Sequence, residues 1–122
     1  MASGDLGTVA PGLAAAAHLR VVDVAVPATS ETIALDLPDG RVLQVMVSGP
    51  PDGVPLVWHH GTPGCAWQLR YRSSETHARG LRYVTYTRAG AAGSTRRPGR
   101  SVADVAEDVA VILDHLKADR CL

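Results

Sequence analysis

Phenylalanine is absent from this sequence, and aromatic residues make up only 4% of its 122 positions. The core must therefore be built from Val, Leu and Ala, each of which buries less area than an aromatic ring. Cysteine is nearly absent too. Cys65 and Cys121 stand far apart in a chain without secretory features, which argues against a disulfide framework and for a reduced compartment, the cytoplasm. Net charge is zero, with 12 Lys and Arg against 12 Asp and Glu. That removes the long-range field that draws proteins to nucleic acid or anionic membranes, so neither partner is expected. No apolar run approaches the ~20 residues of a membrane helix. The N-terminal run Leu13 to Ala17 is too short for a signal core, Asp5 precedes it, and no basic or twin-arginine segment accompanies it. What is present, 46% hydrophobic residues, suits one globular domain.

The charge balance hides a division. Residues 66–100 carry Arg70, Arg72, Arg79, Arg82, Arg88, Arg96, Arg97 and Arg100 against Glu75 alone, whereas residues 101–119 set Asp104, Glu107, Asp108, Asp114 and Asp119 against Lys117. The two segments are expected to attract each other within one fold, the alternative being an arginine-rich binding patch.

Residues 1–29 combine Ala, Gly and Val with the breakers Pro11 and Pro27. They are expected to form a poorly ordered extension, with room for a short helix at 13–19 or a strand at 20–26. From Ser30 the pattern sharpens. Ile33, Leu35 and Leu37 alternate with polar or small residues, Pro38-Asp39-Gly40 turns the chain, and Leu43, Val45 and Val47 alternate again, which predicts a β-hairpin. Ser48 to Gly53 is a loop. Pro55 to Trp58 reads as a strand buried on both faces, followed by a helix over about 66–79, with Leu69 and Tyr71 among its buried positions and Gly80 as its stop. Another strand is expected at Arg82 to Thr87. The strongest helix is predicted to begin at Ser101 as N-cap with Asp104 three residues on, its buried stripe running through Val102, Val105, Ala106, Val109, Ile112, Leu113 and Leu116, with Asp104, Glu107, Asp108 and Asp114 off the stripe. Arg120, Cys121 and Leu122 read as the opening of a further strand. Strands alternating with helices imply an α/β fold, a parallel sheet appended to an antiparallel hairpin.

Chemistry is most readily placed in the loop His59-His60-Gly61-Thr62-Pro63-Gly64, which leaves a buried strand and enters a helix, at the end of the sheet where α/β proteins bind ligands. Backbone N–H groups in such a loop can stabilise an oxyanion, each donor being worth roughly 3–4 kcal/mol. The alternative is a tight structural turn without a ligand. His18, His59, His60, His77 and His115 show no metal-ligand spacing, so no metal is expected. Cys65 beside the histidines is a weaker candidate nucleophile, because sequence adjacency does not establish geometry.

Over residues 30–122 the order of hairpin, buried strand, HGTPG loop, helix, strand, arginine- and glycine-bearing loop and helix resembles the N-terminal part of α/β-hydrolases, the group of esterases, lipases, epoxide hydrolases and aminopeptidases. The resemblance implies that the Thr62 N–H is an oxyanion-hole donor, with His60, Gly61, Pro63 and Gly64 shaping the loop. His60 is then not the catalytic histidine. Tyr86 to Ser94 resembles the family loop YDRPGxGxS, matched at Tyr86, Arg88, Gly90 and Ser94. Thr87, Ala89 and Ala92 replace the usual Asp, Pro and second Gly. No Walker lysine follows, which excludes a phosphate loop.

Family enzymes place a Ser, Asp or Cys nucleophile after the fifth strand, then an acid and a late histidine. No serine here has glycine two positions away on both sides, and the chain stops where that strand would start. The expectation is an incomplete α/β-hydrolase sheet that is inactive alone, needs no cofactor, acts on a small-molecule substrate only in a complete protein, and self-associates or needs a C-terminal half. The rival from another class is a small non-catalytic domain that binds an anion or partner through the same loop.

Overall fold

The computed structural model describes residues 30–122, so the readings made for residues 1–29, including His18, lie outside the described residues. Four strands form one mixed sheet in the order β1-β2-β4-β3. Strands β1 (Glu31–Asp36) and β2 (Val42–Ser48) make the expected antiparallel hairpin. Its turn is closed by the Leu37 N–H donating to the Arg41 carbonyl at 2.8 Å, with Gly40 at φ +83°, where a side chain is disfavoured. Strand β3 (Pro55–Trp58) runs parallel to β4 (Arg82–Tyr86), and β4 pairs antiparallel with β2, which joins the hairpin to the parallel part.

Strand alternation sorts side chains onto two faces. Met46, Ser48, Tyr83 and Thr85 share one, met by a 3-10 helix (Ala66–Arg72) and the short helix α1 (Ser73–Ala78). Contacts carry this assignment: the Thr85 hydroxyl donates to the Ala66 carbonyl at 3.1 Å, and Ser48 Oγ lies 2.9 Å from His77 Nε2. Val45, Val47, Val57, Val84 and Tyr86 supply the other face. They join Leu35, Leu37, Leu43 and Ile112 in one buried cluster, against which Val105 and Val109 of helix α2 (Val105–His115) and its C-cap residue Leu116 pack. The core is aliphatic apart from tyrosine, as the missing phenylalanine requires.

Several expectations need correction. The helix expected over about 66–79 is divided into a 3-10 segment and α1. Ala66 is held at both ends, its N–H donating to Thr87 Oγ1 at 3.0 Å and its carbonyl accepting from Thr85, and this clamp competes with regular α-helical bonding at the first turn. Tyr71 is exposed, lying beside the Arg72 guanidinium instead of in the core. Helix α2 begins at Val105 instead of following directly on Ser101. The Ser101 N–H does donate to Asp104 Oδ2 at 2.7 Å, one half of a capping box, but the next turn is closed by i to i+3 bonds from Val105 to Val102 and from Ala106 to Ala103. Val102 is therefore 85% exposed and Ala106 also faces solvent. Asp108, expected off the buried stripe, is buried. It receives Arg41 through two bonds, Nη2 to Oδ1 at 2.6 Å and Nη1 to Oδ2 at 3.3 Å. Of the expected attraction between the arginine-rich and acidic segments, one ion pair forms among the described residues, Arg97 with Glu107 at 2.9 Å.

Leu122 lies beside β3 on the side away from β4. Its N–H donates to the Pro55 carbonyl at 2.9 Å and its carbonyl accepts from the Val57 N–H at 3.0 Å. These two bonds flank Leu56 as in a parallel ladder, where the sequence suggested a further strand at 120–122. Among the described residues, no helix is long and apolar enough to cross a membrane.

Candidate active site

Strands β3 and β4 end side by side, so the loops that follow them meet. His60, in the first loop, is buried and bridges to the second. Its Nε2 accepts the Arg88 N–H at 3.0 Å, which leaves Nδ1 to carry the proton and donate to the Gly61 carbonyl at 2.7 Å. The Arg88 guanidinium returns a bond to the His60 carbonyl. His60 is thus fixed by hydrogen bonds at both ring nitrogens, which suits a loop-shaping residue better than a proton carrier.

Gly64 has a steric explanation. A Cβ there would stand 2.6 Å from the Gly61 carbonyl oxygen and 2.7 Å from His60 Nδ1, so any side chain would push apart the bend that His60 holds. Gly61 has open space around it, and its steric freedom is unused. Thr62 and Pro63 are exposed at the tip, joined by a cis peptide bond. The Thr62 N–H has no acceptor among the described residues.

The loop after β4 is organised around a residue that departs from the family pattern. Thr87 is fully buried; its hydroxyl accepts the Ala66 N–H and donates to Gln44 Oε1 at 2.9 Å, and its N–H donates to the Gln44 carbonyl at 2.8 Å. Ser94 completes the bracing. Its hydroxyl donates to the Thr87 carbonyl at 2.5 Å and accepts the Gln44 N–H at 2.9 Å. Gly90 turns the loop at φ +89°, and Ala92, where the family pattern has its second glycine, is also left-handed at φ +39°. Of the matched loop residues, Arg88 reaches the HGTPG loop, whereas Gly90 and Ser94 shape their own loop.

One residue of this site, Gln44, was not singled out by sequence, and the contact between His59 and Tyr86 was not foreseen. His59 Nδ1 lies 2.7 Å from the Tyr86 hydroxyl, with the rings edge to face, and Tyr86 is wholly buried beneath both histidines. Burial first, then the neighbouring Arg88 and His60, holds the His59 imidazole below the usual histidine range, while burial first raises the Tyr86 phenol. His59 stands at the mouth of a groove of about 550 Å³ whose other wall is a flank of α2 that includes Val105 and Val109. Gln44 gave no signal because an amide in strand alternation resembles any solvent-facing polar residue. Among the described residues, no group of three His, Cys, Asp or Glu side chains is placed to hold a metal ion.

No protein-family model matches the sequence, and no curated protein does. Solved structures do. An epoxide hydrolase from Mycobacterium thermoresistibile superposes with a TM-score of 0.69 at 19% identity, covering 76% of this chain and 30% of that one. A proline iminopeptidase-related protein from Thermus thermophilus gives 0.61 at 26% identity, covering 75% and 34%. An esterase from Exiguobacterium antarcticum gives 0.59 at 25%, covering 69% and 31%. The chain spans about a third of the length of the solved structures it matches. The strand order, the helices on both faces and these superpositions lead to one conclusion: this chain has the α/β-hydrolase fold.

Proposed function

We propose that this chain supplies half of an oxyanion hole for hydrolysis of an ester-like or related small-molecule substrate, the Thr62 N–H being the donor. One observation carries the reading. The Thr62 N–H is unpaired among the described residues, on an exposed residue of a loop that the His60 and Arg88 hydrogen bonds tie to the loop after β4, at the carboxyl ends of two parallel strands. A donor held there needs no reorganisation when charge develops on a carbonyl oxygen, which is the condition for selective stabilisation of the transition state.

Residues 1–122 contain no nucleophile motif of the GxSxG kind, so the proposal places the nucleophile, the acid and the catalytic histidine outside them. The purified chain is accordingly expected to show no turnover of a p-nitrophenyl ester. Turnover abolished by substituting one of its own residues would overturn the proposal. In a protein that also carries the nucleophile, Thr62→Ala retains the N–H and should retain activity, whereas Thr62→Pro removes it and should lower kcat about 10²- to 10³-fold. Equal behaviour of the two variants would assign the loop a structural role. An inactive, stable monomer whose Thr62 amide shifts on adding a simple carboxylate would instead favour the non-catalytic anion-binding reading.

A further inference from the structure

The arginine-rich stretch following the second loop is only partly used by the fold. Arg96, Arg97 and Arg100, with the backbone of Gly90 and Gly99, surround a cavity of about 460 Å³ that no carboxylate lines. Arg97 is paired with Glu107 at the rim, and Asp104 accepts the Ser101 N–H. Arg96 and Arg100 form no ion pair or hydrogen bond among the described residues. Three guanidinium groups around one space repel each other unless an anion enters, and planar guanidinium is suited to bind phosphate or carboxylate through two donors at once.

This cavity adjoins the apolar groove below His59, since Arg100 and Val102 line both. Beyond them the groove is walled by Val105, Ala106, Val109, Ala110 and Leu113. The Arg88 guanidinium, also at the groove, is committed to the His60 carbonyl. Positive charge is thus concentrated in one of two adjoining spaces and aliphatic surface along the other. The volumes of both parts lie in the range of small-molecule sites.

We propose that the two cavities form one binding site for a free, single-tailed amphipathic anion, its head on Arg96 and Arg100 and its apolar tail along α2 beneath His59. Such a molecule lies beside the Thr62 loop, and it is a candidate substrate if the oxyanion reading holds; binding itself does not depend on that reading.

The test uses the full chain and n-octyl phosphate below its micelle threshold, with inorganic phosphate and n-octanol as partial probes. Calorimetry gives the affinity, and amide shifts at Gly99 and Val109 report the two ends. The site requires n-octyl phosphate to bind at least about tenfold more tightly than either partial probe and to shift both amides, as expected when two subsites act through one molecule. Arg96→Gln with Arg100→Gln, both exposed and outside the core, should weaken n-octyl phosphate about tenfold and leave n-octanol unchanged. Added salt should do the same without any substitution. Equal binding of n-octyl phosphate and n-octanol, an unaltered double variant, or binding only to vesicles of anionic phospholipid would each overturn the proposal. Because these are binding measurements, their failure leaves the turnover experiments on Thr62 untouched, and failure of those leaves this site standing.

Discussion

At the scale of single residues, the strongest local commitment is the buried pair of Arg41 and Asp108, 9% and 5% exposed. Arg41 also donates Nε to Asp39 Oδ2 at 2.7 Å, so one guanidinium ties the hairpin turn to helix α2. These carboxylates hold the arginine above its ordinary range, Asp108 contributing most, against the opposing effect of burial. Removing one partner leaves a charge in a poorly solvated place, which costs more than the pair contributes when intact. Asp108→Ala is therefore expected to destabilise the fold by about 3 kcal/mol in urea denaturation. A loss below about 1 kcal/mol would show that Asp39 alone satisfies Arg41. This pair was not legible in sequence. Its members are 67 positions apart, and an aspartate within an amphipathic helix reads as solvent-facing until a partner from elsewhere is known.

The elements divide by how local their causes are. The hairpin was legible because period-two alternation and Pro38-Asp39-Gly40 both act within a few residues. Strand β3 was legible as a short apolar run, and β4 from the strand-favouring Tyr83, Val84 and Tyr86. The segment after the HGTPG loop was read as one helix and is two pieces, because Thr85 and Thr87, about twenty positions later, hold Ala66 in place. Helix α2 departs from the reading at its start, where i to i+3 bonds replace the first helical turn and Val102 is left in solvent. Its end is a local matter. Lys117 takes φ +54°, with its N–H bonded to the Asp114 carbonyl and the Ala118 N–H to that of Leu113, the pattern of a Schellman cap built without glycine. A lysine pays for its Cβ in that conformation. Lys117→Gly should therefore raise stability by about 1 kcal/mol, seen as a Tm increase of several degrees. A fall in Tm would show that the flexibility gained by the unfolded chain outweighs the relieved strain.

At the scale of the whole molecule, the fold class was legible because the order of elements and the HGTPG loop agreed, whereas the grouping of Arg96, Arg97 and Arg100 around one cavity required the loop's path in space. The sheet also has an asymmetric boundary. Strand β1 of the hairpin is one edge and β3 the other, where Leu122 is bonded only to Pro55 and Val57. Strand geometry points the Val57 carbonyl to the same open side as its N–H, and an open strand edge recruits further strands. We expect the purified chain to associate with rising concentration in sedimentation velocity, or to be rescued by a complementary segment. A monodisperse, cooperatively melting monomer would count against this.

The bonds of Leu122 also fix a heading. Because it pairs parallel to β3, the backbone at Leu122 runs in the direction in which β3 runs, towards His59. The last rung of the ladder therefore shares its heading with the strand that leads into the HGTPG loop, so both point at the same end of the sheet.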